Sequence, residues 1–386
     1  MALILTDDQH ALVAEVEKLA TEAFADAAFD QRFERSGIRE NMRLLAERGY
    51  IGLSMPEQVG GSGRPYLDTI LAIEALARVC PATAESALMA MCGPAMFVAR
   101  WGTPEQWESF VRPVVRGERF CWISLTEEPA GTALTDLETS MEARPDGTYV
   151  VNGRKRPSGV GEADDYYLVF ARRGAGSAGI GAVLIERGTP GFVTSEPRTW
   201  MGDSGWCELT FDDVVVPADH VLDVPGISAL LSSYSVERCA AGAFVLGLSD
   251  IAIRLTVDYV RDREQFGRSL VDFQMVQAKL ADMYLRKEQA QLLLYEAVKA
   301  YDVGDPRART LSSAAKIATT TAACEIIDHA MQLHGLIGMS PDLSPLEWLY
   351  RLVRPYRVAG GTTDIHRSMI AGAMVGRRID HRGASA

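Results

Sequence analysis

The hydrophobic period of the sequence changes twice, and these changes constrain the fold more than any other feature. Over residues 6–115, apolar side chains recur at the three- and four-residue spacing of helices. Over residues 120–224, short segments rich in β-branched and aromatic residues alternate with Gly, Pro, Asn and Asp, which is typical of strands and turns. From residue 226 the helical period returns. The sequence therefore predicts three domains in this order: an N-terminal α-helical domain (1–118), a middle antiparallel β-barrel domain (119–225) and a C-terminal four-helix bundle (226–386).

Individual elements can be placed within these domains. Residues 274–301 and 306–334 each keep a helical period, so each predicts one long helix. A further helix contains the apolar face from Ala241 to Leu255, and a last one follows Thr363. Four such helices predict a bundle.

The β domain contains two turn signals. Asp146-Gly147 and Asn152-Gly153 each supply residues that tolerate the positive φ angles of type I′ turns, so both predict tight hairpins. With short strands on either side, these hairpins predict a small antiparallel barrel. In the first domain, the Pro and Gly residues of 55–63 break the helical period and predict a loop.

Composition excludes several classes of function. Acidic residues outnumber basic ones, 51 to 39, and no Lys/Arg run stands out, so the positive surface of a nucleic-acid-binding protein is missing. The six cysteines form no CxxC pair and have no metal-ligand spacing, which predicts reduced core thiols and no metal site. Because we find no signal peptide and no uninterrupted apolar run of about 18 residues, we expect a cytoplasmic protein without membrane insertion.

Motifs in the first two domains resemble those of one enzyme family. Pro56–Gly63 resembles a PEExGGxG turn, Leu125–Thr132 is similar to LTEPxAGS, and Cys207–Pro217 is similar to the strand ELxFxDVxVP. These motifs belong to the acyl-CoA dehydrogenases, and the resemblance covers almost the whole chain in the same domain order. It implies the acyl-CoA dehydrogenase fold and a flavoprotein that binds FAD.

Motifs in the third domain match the same family. Arg263–Gln274 matches RxxFGxxxxxxQ, and Met331–Gly338 resembles a QxxGGxG turn. An Arg fork suits a pyrophosphate, and Gly lets the backbone approach it closely. The resemblance implies an FAD site, partly shared across a subunit interface, made of Leu125, Thr126, Thr132, Ser158, Arg263, Phe266, Phe273, Gln274, Gln332, Gly335, Leu336, Thr362 and Asp364.

One flavin contact of the family is absent. After the Asn152-Gly153 dipeptide the family usually has KxWITNG, whose Trp and Thr contact the flavin, whereas this sequence has Lys155–Gly161 without the Trp. Ser158 is the nearest hydroxyl that could replace the Thr. We therefore expect FAD to bind in an altered environment.

The family's usual catalytic base is also absent. A carboxylate must remove the α proton of the acyl thioester while a hydride leaves the β carbon, so it has to be close, desolvated and of raised pKa. In most members it is the Glu of a YEGTSEIQR-like motif, but in Val358–Arg367 Gly360 takes that position and Ala359 takes that of the Tyr. Because Gly360 has no side chain, we expect a branched, cyclic or bulky acyl group.

A carboxylate elsewhere matches a minority of the family. Val236–Gly247 resembles the LERxxxAxxxxG motif of isovaleryl-CoA dehydrogenase-like enzymes, with Glu237 as base at the start of a helix of small residues. Arg238 would lie near the thioester or its CoA arm. Crotonobetainyl-CoA reductase-like members also lack the Glu of the C-terminal motif and carry a helix Glu-Arg. Alternatively, Glu237 only interacts with the helix dipole and Arg238 forms a surface ion pair. The implied substrate contacts are Thr132, Arg238, Gly360 and Gly361.

The resemblance predicts FAD-dependent α,β-desaturation of an acyl thioester on CoA or acyl carrier protein. It also implies an electron-transfer flavoprotein or similar acceptor and a homodimer or homotetramer. Three alternatives stay open: an enoyl-thioester reductase of the same fold, a binding or assembly protein without turnover, and a flavin-dependent monooxygenase.

Overall fold

The structure is a computed structural model that describes residues 5–28, 37–159, 165–199, 201 and 205–377. The chain forms two compact units. The helical unit comprises Met1–Arg32, Tyr66–Ala84 and Ser235–Ala386, and the sheet unit comprises Phe33–Pro65 and Glu85–Tyr234. Val160 and Gly161, the last residues of the run that replaces KxWITNG, lie outside the described residues.

Helices dominate the described residues before Val115, as predicted. The predicted loop at 55–63 contains only a short 3-10 turn, Glu57–Val59. This loop requires glycine, because a Cβ on Gly61 would lie 2.1 Å from the Met55 carbonyl oxygen. The helices are α1 (Asp7–Ala23), α2 (Ile38–Glu47), α3 (Tyr66–Ala77), α4 (Pro81–Cys92), α5 (Pro94–Trp101), α6 (Pro104–Gln106) and α7 (Arg112–Val115).

The sheet unit contains a nine-stranded sheet. Its strands pair in the order β6-β8-β3-β2-β4-β5-β9, with β1 beside β4 and β7 beside β8. The strands are β1 (Cys121–Ser124), β2 (Ser140–Ala143), β3 (Tyr149–Gly159), β4 (Tyr166–Arg172), β5 (Ile180–Glu186), β6 (Phe192–Thr194), β7 (Arg198–Thr199), β8 (Gly205–Val216) and β9 (Val221–Leu222).

Most strand pairs are antiparallel, as predicted, but two are parallel. Strand β1 runs parallel to β4, and Ser140 of β2 pairs with Arg172 of β4 in the same sense. Parallel neighbours need a long connection, which exists here because β2 and β3 lie between β1 and β4 in the sequence. The sheet packs around a buried apolar cluster that includes Val151, Val169 and Val183.

Of the two predicted hairpin turns, one is wrong. At Asp146-Gly147 the chain does turn, and the Asp146 carboxylate accepts from the Thr148 amide at 3.0 Å. Asn152-Gly153, however, lies inside β3, where the pairing with β8 shifts register. The Asn152 side chain bonds across the sheet, accepting from the Asp213 amide at 2.7 Å and donating to its carboxylate at 3.0 Å. The positive φ of Gly153 therefore serves a β-bulge.

In the helical unit, the predicted long helices are present. Residues 274–301 and 306–334 correspond to α9 and α10, and the helix after Thr363 is α12. A short hairpin separates α8 from α9. The elements of this part are α8 (Ile227–Asp262), β10 (Glu264–Gln265), β11 (Arg268–Ser269), α9 (Gln274–Asp302), α10 (Ala308–His334), α11 (Leu346–Val353) and α12 (Thr363–Met374).

The small residues of α8 serve helix packing. A Cβ on Gly242 would lie 2.9 Å from Thr319 Oγ1 of α10 and 3.3 Å from Leu294 Cδ1 of α9. Five residues further along, a Cβ on Gly247 would lie 2.5 Å from the Cβ of Ala77 in α3. At Gly242, α8 thus packs closely against both α9 and α10.

A buried ionic cluster fixes α8 to its neighbours. Arg78, directly after α3, donates to Asp250 of α8 at 2.7 Å, to Glu17 of α1 at 2.7 Å and to Glu74 of α3 at 2.6 Å. Tyr295 of α9 donates to the second oxygen of Glu74 at 2.8 Å. Burial raises the pKa of Glu74 although the Arg78 charge opposes that rise. Three helices are thus joined through one guanidinium and a fourth, α9, through Glu74, and these contacts hold the helix that carries Glu237.

Two helical segments, Pro81–Trp101 and Ile227–Asp262, are long and apolar enough to cross a membrane by length and composition alone. In each segment, 72% of the most apolar stretch of 18 residues is buried inside the protein. The hydropathy of both is what core helices require, because such helices are apolar on nearly every face.

Candidate active site

Glu237 lies in the interior of α8. The helix begins at Ile227, ten residues before Glu237, so the prediction that this residue begins a helix is wrong. The alternative based on the helix dipole fails for the same reason, since that interaction is confined to the first turn. The position of Glu237 needs another explanation, which its surroundings supply.

One carboxylate oxygen of Glu237 is buried without a partner. The residue keeps some exposed surface, but its Oε2 atom is inaccessible to solvent and has no hydrogen bond to any residue that the structure describes. Burial raises the pKa of Glu237 to about 7, although the charges of Arg238 and Lys316 act to lower it. A desolvated carboxylate of this pKa has the properties of a general base near neutral pH.

Gly360 and Gly361 form a turn opposite this carboxylate. Their φ angles are +67° and +99°, in the region that favours glycine. A Cβ on Gly360 would lie 3.5 Å from Glu237 Oε2 and 3.6 Å from Arg238 Cγ. The fold thus brings together Glu237, Arg238 and the two glycines, four residues that the sequence assigned to one site from motifs more than 120 positions apart.

Arg238 is a buried residue of this site. Arg238 is only 5% exposed, and its Nε donates to the Gly360 carbonyl at 2.9 Å. The alternative that it forms a surface ion pair is therefore wrong. The guanidinium instead fixes the turn that faces Glu237.

Two residues of the site were not identified from sequence. Lys316 of α10 donates from Nζ to the Arg357 carbonyl at 3.2 Å and to the Gly361 carbonyl. His366 of α12 contacts the Gly360 carbonyl through Nε2 at 3.2 Å. Lys316 is only 2% exposed, and a lysine within a run of core-facing residues is the one signal that could have identified it.

The hydrogen bonds of His366 define its protonation. Because the Gly360 carbonyl can only accept, Nε2 of His366 carries a proton, and Nδ1, 3.1 Å from Ser313 Oγ, is left to accept. Burial and the charges of Arg238 and Lys316 lower the pKa of His366 to about 4. At neutral pH it is therefore an uncharged donor to the turn.

The predicted cofactor residues of the helical unit lie at two places. Around the β10–β11 hairpin, Arg263, Phe266 and Gln274 are exposed, and the rings of Phe266 and Phe273 are 6.3 Å apart. Phe266 has a positive φ of +55°, which turns its ring outward to 95% exposure. An exposed guanidinium and an exposed aromatic ring at one short hairpin suit a phosphate-bearing ring system.

The other place is the C-terminal end of α10. Gln332, Gly335 and Leu336 are exposed there, and Gly335 caps the helix. Stacking of Tyr259 on His334, with ring centroids 4.2 Å apart, joins this end to the end of α8 that leads into the hairpin. No described atom lies within 4 Å of the position that a Cβ on Gly335 would take, so a ligand can reach this backbone.

Thr362 and Asp364 have local roles at the start of α12. Thr362 is the N-cap, and its hydroxyl accepts from the Ile365 amide at 3.2 Å. Asp364 is exposed in the first turn, 3.4 Å from Arg367. Both roles stabilise the helix end and leave the Thr362 hydroxyl proton available to a ligand.

In the sheet unit, a buried ion pair organises the segment that contains Leu125 and Thr126. Lys155 donates to the Leu125 carbonyl at 3.1 Å and to the Glu127 carboxylate at 2.6 Å. Glu127 in turn accepts from the amide of Thr139 at 3.1 Å. Burial lowers the pKa of Lys155 to about 8 against the opposing effect of Glu127. Thr132, further along the same segment, is exposed.

Ser158 and Gly159 belong to the run that stands where the family has KxWITNG. Ser158 is buried with its hydroxyl 2.8 Å from that of Ser124, so the pair keeps one hydroxyl proton for another acceptor. Next to it, a Cβ on Gly159 would lie 1.8 Å from Cε2 of Trp122. The sequence did not identify Trp122, whose indole packs on the glycine that follows Ser158.

The donors in the two units suit FAD. The helical unit offers an exposed guanidinium, open glycine backbone and aromatic rings, and the sheet unit offers a hydroxyl pair and an indole. Each unit by itself thus offers donors for a flavin, and the helical unit also carries a buried carboxylate of raised pKa; these are features of the class of flavin-dependent enzymes that act on CH–CH bonds.

Comparison with known proteins agrees with this class. Models of the N-terminal, middle and C-terminal domains of acyl-CoA dehydrogenases match residues 6–118, 123–214 and 225–375. The chain belongs to the acyl-CoA dehydrogenase family, and it is an FAD-dependent oxidoreductase with that family's three-domain fold.

Individual relatives cover nearly the full length. The chain is 32% identical to a 3-sulfinopropanoyl-CoA desulfinase of Paraburkholderia xenovorans (strain LB400), over 98% of each chain. It is 30% identical to the mitochondrial isovaleryl-CoA dehydrogenase of Pongo abelii, over 96% of this chain and 89% of that protein. Among solved structures, PigA with FAD and proline has a TM-score of 0.92 at 25% identity, over 98% of this chain and 100% of that one.

Proposed function

We propose that this chain catalyses FAD-dependent α,β-desaturation of an acyl thioester, with Glu237 as the base that removes the α proton. The observation that carries the proposal is the buried, unpartnered Oε2 of Glu237 beside Gly360. In the reaction, the proton passes to Glu237, a hydride leaves the β carbon, and a double bond forms between the two carbons. FAD, when bound, accepts that hydride.

The backbone of the two-glycine turn supports the same proposal. Neither the Gly360 nor the Gly361 amide donates a hydrogen bond to any described residue. Both donors are therefore available to the thioester carbonyl, whose oxygen gains negative charge as the α proton leaves. The carbonyl groups of the same turn are held by Arg238, Lys316 and His366, so the amides are preorganised.

The substrate in this proposal has a branched, cyclic or bulky acyl group on CoA or on an acyl carrier protein. Gly360 supports this, since no side chain occupies its side of the site. One relative is named for isovaleryl-CoA, whose acyl group is branched, and this supports the proposal too. We further propose that the reduced enzyme passes electrons to an electron-transfer flavoprotein or a similar acceptor, and that it works as a homodimer or homotetramer.

The test is anaerobic flavin reduction. The holoenzyme is mixed with a panel of saturated straight-chain, branched, cyclic and aromatic acyl-CoA thioesters, and the flavin absorbance is followed. We expect at least one thioester to bleach the flavin, and we expect Glu237→Gln to slow that step by a factor on the order of 10² or more while keeping its flavin. Glu22→Gln, which removes an exposed carboxylate on α1, is the control and should match the parent.

Two outcomes would contradict the proposal. Full activity in Glu237→Gln would assign the base to another residue. Reoxidation of the prereduced enzyme by enoyl thioesters, with no bleaching by any saturated one, would establish the enoyl-thioester reductase instead.

Desulfination is a second candidate, favoured by the desulfinase relative that matches over 98% of both chains. Cleavage of the carbon–sulfur bond of a 3-sulfinoacyl thioester by one water yields the saturated thioester and sulfite, without net transfer of electrons to FAD. Release of sulfite from 3-sulfinopropanoyl-CoA with no flavin bleaching would select this activity over desaturation.

A further inference from the structure

Lys316 is a buried lysine bonded to carbonyl groups instead of a carboxylate. Its ammonium donates to the carbonyls of Arg357 and Gly361, and no Asp or Glu among the described residues forms an ion pair with it. Buried lysines are ordinarily paired with an acid, because an isolated charge is costly to desolvate. Since Lys316 keeps its charge without such a partner, the charge itself needs a reason.

One of the two carbonyls that Lys316 binds, that of Gly361, belongs to the turn that faces Glu237, and the other, that of Arg357, lies in the segment before the turn. Gly360 accepts from Arg238 at 2.9 Å and from His366 at 3.2 Å, and Gly361 accepts from Lys316. Two successive glycines have more backbone freedom to lose than any other pair. Three donors from α8, α10 and α12 thus fix the turn, and Lys316 also joins it to the Arg357 carbonyl of the preceding segment.

The charged groups around Lys316 come from each neighbouring element. Glu237 and Arg238 face it from α8, Arg357 from the segment before the turn, and Asp364 from the start of α12. Burial lowers the pKa of Lys316 to about 8, and the charge of Arg238 contributes in the same direction while that of Glu237 opposes it. At neutral pH the lysine is therefore still mainly charged.

We propose that Lys316 is a positioning residue for the reaction. It holds the Gly360–Gly361 turn opposite Glu237, and it supplies positive charge to the group that is negative at each stage of the proton transfer. Before proton transfer the negative charge is on the Glu237 carboxylate. Afterwards Glu237 is neutral and the charge is on the thioester oxygen of the substrate. One fixed cation stabilises both arrangements, so the proton moves without a large change in electrostatic energy.

Lys316 and Glu237 interact electrostatically but form no ion pair among the described residues, and this separation is part of the proposed role. A direct ion pair would favour the carboxylate strongly and make Glu237 a weaker base. By binding Lys316, the carbonyls of Arg357 and Gly361 keep it from closing onto Glu237. Lys316 then acts on Glu237 through its electric field alone.

This inference rests on the proposed function, but its test does not require activity. The pH midpoint of Glu237 is measured from the difference in unfolding free energy between each holoenzyme and its Glu237→Gln derivative, from pH 4 to 9. Lys316→Gln keeps a donor for the carbonyls and removes the charge, so we expect the midpoint to rise by about one pH unit. Lys316→Arg keeps the charge and should leave it within about half a unit.

The controls separate this role from a merely structural one. Lys299→Gln removes a lysine of α9 for which no ion pair is found among the described residues, and it should leave the midpoint unchanged. The same variants are compared in the pH profile of flavin reduction with isovaleryl-CoA as the probe, whose acid limb should move with the midpoint. An unchanged midpoint in Lys316→Gln, or equal shifts in the Gln and Arg variants, overturns the role of Lys316. Retained activity in Glu237→Gln overturns the proposed function alone.

Discussion

Replacing Glu237 by Gln should remove a pH-dependent part of the stability of this protein. Burial raises the pKa of Glu237 from its ordinary 4.5 to about 7. A carboxyl group with a raised pKa stabilises the folded state fully below its unfolded pKa, and that contribution is lost as the pH rises through the folded pKa. The wild-type protein should therefore lose stability relative to Glu237→Gln between pH 4.5 and pH 7.

The magnitude follows from the two pKa values. The interval between 4.5 and about 7, at about 1.4 kcal/mol per pH unit, gives a change of about 3 kcal/mol in the difference between the two proteins. Any constant effect of the amide cancels, because only the pH dependence is compared. Above pH 7 the titration of Lys316, whose pKa is lowered to about 8, contributes as well, so this magnitude is taken from the interval below pH 7 alone.

The assay is urea unfolding of both proteins at several pH values, followed by far-ultraviolet circular dichroism. Glu22→Gln is the matched control, since its carboxylate is 65% exposed and should change the difference by less than about 0.5 kcal/mol. A difference between wild type and Glu237→Gln that stays constant from pH 4.5 to 7 would refute the conclusion that Glu237 is desolvated. It would also remove the physical basis for its role as a base.

Two glycine substitutions test the surroundings of the predicted site. Gly360→Ala should cost about 1–2 kcal/mol from its left-handed φ of +67° and should also move the acid limb of flavin reduction upward, because its Cβ would lie 3.5 Å from Glu237 Oε2. Gly376→Ala has the same φ of +67° in open space and should show the stability loss alone, so equal pH profiles for the two variants would contradict the proximity. Gly159→Ala should destabilise the protein by about 1–3 kcal/mol in thermal melts, because its Cβ would overlap the Trp122 indole, whereas Gly131→Ala, with no atom within 4 Å, should have little effect. Equal melting temperatures for these last two variants would show that the indole moves aside freely.

The order of domains and the long helices were predictable because they depend on local periodicity. Helices α9 and α10 keep a 3.6-residue period through the whole of their length, and their observed bounds differ from the predicted ones by at most two residues. The start of α8 was not predictable in the same way. Ser232 and Ser233 make its first turns polar, and only the structure shows that their hydroxyls bond back to the Ala229 carbonyl within the helix.

Errors arose where a side chain acts far from its own position in the sequence. Asn152 has the neighbours of a turn residue, yet it bonds to Asp213 in a strand 61 positions away. Lys316 has the sequence context of an ordinary helix lysine, yet it binds carbonyls 41 and 45 positions away. Motif comparison found Glu237 and Gly360 because both belong to patterns, but no pattern includes Lys316, which holds the turn together with Arg238 and His366.

The absence of a carboxylate at Gly360 is a physical requirement of the base proposed on α8. The Cβ position of Gly360 is 3.5 Å from Glu237 Oε2, so a carboxylate on the turn and a carboxylate on the helix would reach the same small volume. Two carboxylates in contact cannot both ionise, and the pKa of one would rise well above neutral pH. A chain that places its base at Glu237 therefore needs a residue without a side chain at Gly360. The same glycine frees the turn, which explains why Arg238, Lys316 and His366 must then hold its carbonyls in place.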